Sequence, residues 1–385
     1  MRILAACSLG GSGHLIPLVP FLAAAQRQGH ETLVIGPPAL RDLVDKTGFA
    51  FEAGGEPSEA EVAPIRERLA VAPPLEASTL GNRELFGRLA ARAMLPAMRQ
   101  VCAEWSPDLM LRDPCEYASA VVAPPLGIPT AQVAISLAAA EAGSIAVAAP
   151  ALEEHRHGLV EELWATPYLT RFPASLDPSP FAATVRFREP EIAPAPLPDW
   201  WDGSTAPLIY LTFGTVVSYL SGAAAVYRAA IEAVRDLDVR VLLTVGRHFD
   251  ASQLGPLPAN IHVEPWVDQL DALHEADLVV CHGGSGTVFG TLAAGLPLVV
   301  VPVLGDQFDN GRLVAACGAG VTLAPDPSSD KSRRVIDEGD AGRITAAIAT
   351  VLGSASYGTV AQAVATEMRA AATVDEVLEE LLRRQ

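Results

Sequence analysis

Residues Asp277–Gly311, DLVVCHGGSGTVFGTLAAGLPLVVVPVLGDQFDNG, decide how the rest of the chain is read. The apolar run Leu278–Cys281 has the length of a buried parallel strand. Gly283, Gly284, Ser285 and Gly286 follow His282, and a helical pattern begins at Thr287. A strand that ends in glycines and feeds a helix exposes backbone N–H groups at the positive end of the helix dipole, a site suited to phosphate. The other reading is a tight strand-to-helix turn that needs glycine only for close packing. A second strand, Leu298–Val301, ends at Pro302, and Asp306, Gln307, Asp309 and Asn310 crowd the loop beyond it. Ligands of open α/β sheets bind at that carboxyl edge. No Lys or Arg lies between Asp277 and Gly311. A diphosphate bound here must therefore be held by backbone N–H groups, hydroxyls such as Ser285 and Thr287, and His282.

The same alternation of strand and helix extends outward. Strands are expected at Arg2–Cys7, Glu31–Ile35, Phe49–Glu52, Leu109–Leu111 and Pro129–Val133, then at Leu208–Phe213, Val239–Val245 and Ile261–Val263. Helical patterns lie between them, among them Leu15–Gln28, closed by Gly29, and Ala223–Asp236. Residues 54–94 read as acidic, Pro-containing loops and short helices, an excursion of a length that is often functional. Residues 136–172 are Ala-rich and read as helical, as does the tail from 339 to 384. Pro190, Pro194, Pro196 and Pro198 favour an extended linker. The expected fold class is α/β, with two Rossmann-like doubly wound domains and an interdomain cleft. The expected boundaries are an N-terminal domain at 1–198, a linker at 199–207, a C-terminal domain at 208–356, and helices at 357–385 free to pack back on the first domain.

Bulk properties narrow the function. Half of the 385 residues are apolar, enough for two full cores, and the formal charge of −18 excludes nucleic-acid and anionic-membrane partners. The five cysteines show no CxxC or Cys/His zinc spacing, so reduced thiols in a cytoplasmic protein are expected. Arg2 is followed by only a short apolar run, which is no leader, and the apolar tract Ala134–Leu152 is broken by Glu141, which is no membrane span.

Several motifs fail on inspection. Gly11 and Gly13 fit a dinucleotide fingerprint, but Ile16 stands where its third glycine should be and no acid ends the second strand. No GK[ST] loop occurs, and the runs around Ser12 and Ser285 lack the final glycine of a nucleophile elbow. Asp236-Leu237-Asp238 precedes a strand and reads as a solvated turn. His14 and Asp113 each lie just beyond a strand of the first sheet. Together they could form an acid-supported base; singly, His14 reads as structural and Asp113 as a helix cap. Trp266 could offer a flat face to a base, or fill the core.

Taken together these residues resemble a family-one glycosyltransferase of the GT-B fold, an inverting enzyme that uses nucleotide sugars. Trp266-Val267-Asp268-Gln269, His282-Gly283-Gly284-Ser285-Gly286-Thr287, Gly295-Leu296-Pro297, Pro302 and Asp306-Gln307 with Asn310 match the donor signature of that family in order and approximate spacing. Gly13-His14-Leu15-Ile16-Pro17 falls where the family keeps its base. The resemblance implies that His14 deprotonates the acceptor and Asp113 supports it. It implies that Trp266, Val267 and Gln269 hold the base, and that His282, Gly284, Ser285, Gly286 and Thr287 hold the diphosphate with Gly214 and Thr215. It assigns the sugar hydroxyls to Asp306 and Gln307, and implies no cofactor and no metal.

One departure refines the donor. UDP-glucose enzymes of the family place a Glu on the ribose three residues beyond the position of Thr287; here that residue is Gly290. HGGSGTVFG is similar instead to actinobacterial enzymes that decorate antibiotics with dTDP-deoxysugars, so a dTDP-sugar is favoured over a UDP-sugar. The expected partners are a nucleotide sugar and a small hydrophobic aglycone, its pocket shaped by Leu75, Leu80, Phe86, Met94 and residues 136–172; a homodimer is left open. The alternatives are a nucleotide-sugar epimerase or phosphorylase on the same fold, and a non-catalytic biosynthetic helper. The first leaves residues 54–94 and 136–172 without a purpose, and the second needs none of His14, Asp113, Asp306 and Gln307.

Overall fold

Every strand pairing among the described residues of the computed structural model is parallel, which ties each sheet to helical crossovers and buries its central strands on both faces. The structure describes residues 1–9, 11–69, 71–218, 222–303, 305–323 and 338–383. Two units result, Met1–Pro190 with Ala371–Gln385, and Glu191–Ala370.

The first unit holds strands β1 (Arg2–Ala6), β2 (Glu31–Gly36), β3 (Ala50–Ala53), β4 (Leu109–Arg112), β5 (Thr130–Val133), β6 (Tyr168–Thr170) and β7 (Thr184–Arg188). The second holds β8 (Leu208–Thr212), β9 (Arg240–Thr244), β10 (Ile261–Glu264), β11 (Leu278–Cys281), β12 (Leu298–Val300) and β13 (Gly320–Thr322). β14 (Ala372–Thr373) returns to the first sheet and pairs with β7. The first sheet runs β14-β7-β6-β5-β4-β1-β2-β3 and the second β10-β9-β8-β11-β12-β13. Each is doubly wound, and each reverses its strand order once, between β1 and β4 and between β8 and β11. Ligands of such sheets bind at that reversal, outside the carboxyl ends of the strands.

The strands are buried because short Val, Ile, Leu and Ala runs such as RILAA and LVVC leave no polar face. β8, β9 and β11 pack in one core with the helices Ala223–Val234 and Ala341–Leu352. The first sheet carries one core on each face. Pro17 and Pro20 split the first crossover into the short helix Ser12–Leu15, a tight turn at Ile16–Leu18 and the helix Val19–Arg27.

Three regions depart from the sequence reading. Residues 54–94 are mostly helical: Glu59–Leu69 and Pro74–Ser78 lead to a π-helical segment, Thr79–Ala90, which runs directly into the helix Ala91–Trp105. Gly87 lets that segment approach the helix Ala138–His155, since a Cβ there would stand 3.3 Å from Ala148. Residues 136–172 end in β6, a strand too short for periodicity to reveal. The units also divide between residues 190 and 191, where the sequence places the first boundary at 198 and a linker at 199–207. Trp200 stacks on His262 at 4.1 Å, Trp201 Nε1 donates to the Asn260 carbonyl at 3.2 Å, and the Arg240 guanidinium lies over Trp201. That segment is thus hooked along β10, the open edge of the second sheet. At the far end, residues 371–383 leave the 357–385 segment for the first unit, while the helix Ala355–Arg369 stays with the second. No single described helix is long and apolar enough to cross a membrane.

Candidate active site

In the first unit the reversal lies between β1 and β4, which pair Ala6 with Arg112. The chain leaves β1 through Gly11, whose φ of 67° favours glycine, and places His14 in the short helix Ser12–Leu15. Asp113 follows β4 directly and is fully buried. Its Oδ2 accepts the Ser8 N–H at 2.6 Å, and its Oδ1 accepts the Cys115 N–H at 2.7 Å and meets His14 Nδ1 at 3.1 Å. A carboxylate only accepts, so His14 Nδ1–H donates to Asp113 and the neutral ring presents its lone pair at Nε2. Phe86 stacks beside the imidazole, ring centres 5.7 Å apart.

Two further buried charges hold this corner, and the sequence reading missed both. Arg112 donates to the carbonyls of Glu116 and Pro114 and to Gln132 Oε1, at 2.7, 2.9 and 3.0 Å, with Tyr117 against its guanidinium. Glu116 accepts the N–H groups of Ala118 and Ser119 and so caps the helix Ala118–Val122. The 113–117 loop is therefore fixed from both ends. The available signal was two charges flanking DPC at the end of an apolar strand. The side chains of His14, Asp113 and Cys115 cluster within metal-ligating distance. Burial pushes the Cys115 thiol well above its ordinary pKa, and backbone N–H groups already engage both Asp113 oxygens, so the set is a hydrogen-bonded one. All five cysteines are free thiols.

Of the residues expected to shape an acceptor pocket, Phe86 lies against His14, while Leu80 and Met94 are buried. Met94 lines a small cavity with Ser8, Pro37, Ala90, Glu116 and Tyr117. The side chain of Leu75 lies outside the described residues.

In the second unit the reversal lies between β8 and β11. The His282 ring is held between two glycines: a Cβ at Gly214 would stand 2.7 Å from its Cε1, and one at Gly284 2.5 Å from its Nε2. Burial lowers the His282 pKa to about 4, so it is a neutral imidazole, and its Nδ1 has no partner among the described residues. The helix Ser285–Ala294 starts at Gly284 with no side-chain cap and no acid in its first turn. Gly286 is exposed and Thr287 half-buried there. Ser285 Oγ donates to Asp306 Oδ2 at 2.9 Å, and Asn310 Nδ2 donates to Ser285 Oγ and to the Gly283 carbonyl. Gln307 is buried and its Oε1 accepts the Val303 N–H. Asp306 and Gln307 thus brace the two helix starts as well as facing the same edge.

Trp266 is half exposed, not a core residue, and follows β10. Val267 is half-buried beside it, and Asp268 caps the helix Gln269–Glu275 by accepting the Leu270 N–H. Gln269 Nε2 would lie 2.7 Å from a Cβ at Gly290, so its amide fills the space a side chain at 290 would need. The side chain of Thr215 lies outside the described residues.

Residues 23–214 match the erythromycin biosynthesis protein CIII-like N-terminal domain, and residues 228–383 match the corresponding C-terminal domain. The chain is 30% identical over 394 residues to L-demethylnoviosyl transferase of Streptomyces niveus, covering 100% of this chain and 98% of that one. The crystal structure of the glycosyltransferase SnogD from Streptomyces nogalater superposes with a TM-score of 0.77 at 25% identity, over 100% of this chain and 99% of that one. The spinosyn rhamnosyltransferase SpnG complexed with thymidine diphosphate shares the fold with a TM-score of 0.78 at 23% identity, over 99% and 100%. Two parallel α/β units of this kind are those of GT-B glycosyltransferases, and the chain belongs to the erythromycin biosynthesis protein CIII-like family of glycosyltransferases.

Proposed function

We propose that this glycosyltransferase moves a sugar, with inversion and without a metal, from a dTDP-deoxysugar to a hydroxyl of a small hydrophobic natural-product aglycone. The observation that carries the reading is the His14–Asp113 pair at 3.1 Å, with the carboxylate itself fixed by two backbone N–H groups. His14 Nε2 removes the proton of the acceptor hydroxyl. The oxygen attacks the anomeric carbon, and the nucleoside diphosphate leaves from the opposite face with the bonding pair. Asp113 stabilises the imidazolium that forms.

The donor half asks for different chemistry. The leaving diphosphate gains charge, and the start of the helix Ser285–Ala294, which no side chain caps, turns the Gly286 N–H and a positive dipole end to it, the Thr287 and Val288 N–H groups being bonded to the Gly284 carbonyl. Neutral His282 contributes an N–H without the cost of a buried cation. Asp306 and Gln307 serve the sugar hydroxyls, and Trp266 the base. The absence of an acid at Gly290, where Gln269 fills the space, supports a nucleoside lacking the 2′-hydroxyl. Thymidine diphosphate in the SpnG complex, and dTDP in that of the glycosyltransferase VinC, point the same way. A UDP-sugar is the second donor to try.

The test is His14→Ala. Turnover is expected to fall by ~10²–10⁴-fold, the usual contribution of a positioned base. Nucleotide affinity by calorimetry should stay within about 2-fold, because the helix at 285–294 is untouched. Turnover close to wild type would end the assignment.

A further inference from the structure

The loops beyond the carboxyl ends of the second sheet hold one cation among the described residues, Arg247. It stands after β9, where Gly246 turns the chain with a φ of 85° and packs so closely on Ser218 that a Cβ would come within 2.9 Å. That turn aims Arg247 at the neighbouring strand end. Its guanidinium carbon lies 4.6 Å from the centre of the Trp266 ring, and no described carboxylate pairs with it. Trp266 nevertheless remains 50% exposed, and no described aromatic ring packs on it. The guanidinium therefore lies over the indole while half of the Trp266 surface stays open.

We propose that Arg247 is a donor-positioning residue that backs the Trp266 indole, so that the nucleoside base stacks on the opposite face. The inference rests on the nucleotide-sugar reading and adds a residue to it. An exposed indole swings about its side-chain torsions; a guanidinium held flat against it by cation–π attraction fixes the plane the base meets. β9 is two strands from β11. The guanidinium lies over Trp266, which follows β10, and β10 is three strands from β11, roughly 14 Å at about 4.8 Å per strand, so it sits on the side away from the helix start proposed to take the diphosphate. Its role is thus stacking, not phosphate charge.

The full-length protein is titrated with dTDP by calorimetry, as wild type, Arg247→Ala and Arg247→Lys, at low and high salt. Arg247→Ala should weaken binding by about 5-fold, the scale of an exposed cation–π contact. The loss should be the same at both salt concentrations, and Arg247→Lys should not restore it, because an ammonium lacks the planar face. The unliganded thermal midpoint should not move, since the side chain is exposed. Unchanged affinity in Arg247→Ala overturns the proposal, as does a loss that salt abolishes and lysine rescues, which would make Arg247 a phosphate contact. A wild-type protein that binds neither dTDP nor UDP sinks the donor reading itself.

Discussion

The two sheets reverse at equivalent points, yet the corners they build there are chemical opposites. Between β1 and β4 the chain gathers buried charge: Asp113, Arg112 and Glu116 are each at most 2% exposed, and all three are hydrogen-bonded. Between β8 and β11 it gathers glycine, hydroxyls and one neutral imidazole. On the proposed reading the first corner holds a proton at a chosen atom, which takes a fixed carboxylate. On the same reading the second receives a charged ligand in a chain of net charge −18, which takes room and oriented N–H groups. A shared fold thus supplies the place, and the loop residues supply the chemistry.

Proton linkage separates the corners as well. Burial lowers His282 from an ordinary 6.5 to about 4. The unfolded chain therefore binds the extra proton first, and stability falls as the pH drops from 6.5 toward 4. Burial raises Glu141, near the first corner, from 4.5 to about 8. There the folded chain binds the extra proton, so that contribution is full below pH 4.5 and is lost as the pH rises through 8.

The comparison can be broken, most severely at Asp113. Asp113→Asn should cost on the order of 10²–10⁴ in turnover, because the amide cannot stabilise the imidazolium and must turn a donor toward a backbone N–H. Nucleotide affinity should not follow; if calorimetry finds that it does, the two corners are not separable in function. Gly284→Ala is the converse. Its Cβ collides with His282 Nε2, and overpacking of about 1–3 kcal/mol should weaken nucleotide binding by roughly 10–100-fold. Single-turnover rates at saturating donor should stay near wild type, and a collapse there would tie His282 to the chemistry. The smallest effect is Glu141→Gln, which removes the raised carboxyl but keeps an oxygen for the Ile135 and Ser136 N–H groups. Its thermal midpoint should gain on the order of 3 °C over wild type at pH 8.5, and little at pH 5. An equal shift at both values would remove the proposed linkage.

The glycine-rich corner after β11 was legible in the sequence because it is built from consecutive residues: one strand, three glycines and one helix start. That His14 and Asp113 meet was legible because each lies next to a strand end of one sheet. Arg112 and Glu116 stayed hidden because charged residues ordinarily mark surface, and only the fold reveals that these two brace a loop from inside. β14 stayed hidden because two residues, Ala372 and Thr373, have no period. The length of the helical run through 79–105 was not legible because residues 54–94 are acidic and Pro-containing, and the contact of Gly87 with helix 138–155 exists only in the fold. Trp266 was legible as a ring; that Arg247 lies over it depends on a turn at Gly246 that pattern alone does not orient.

Residues 371–383 follow the whole second unit in sequence but complete the first: β14 extends its sheet, Val374, Val377 and Leu378 enter its core, and Asp375 pairs with Arg27 at 2.8 Å. During synthesis the leading half therefore emerges without its closing edge strand and waits for the ribosome to finish the trailing one. Chimaeric transferases spliced once, at residue 190, would leave that half seated against a foreign tail. Recombination meant to exchange the second unit has to cut twice, exporting 191–370 as a cassette.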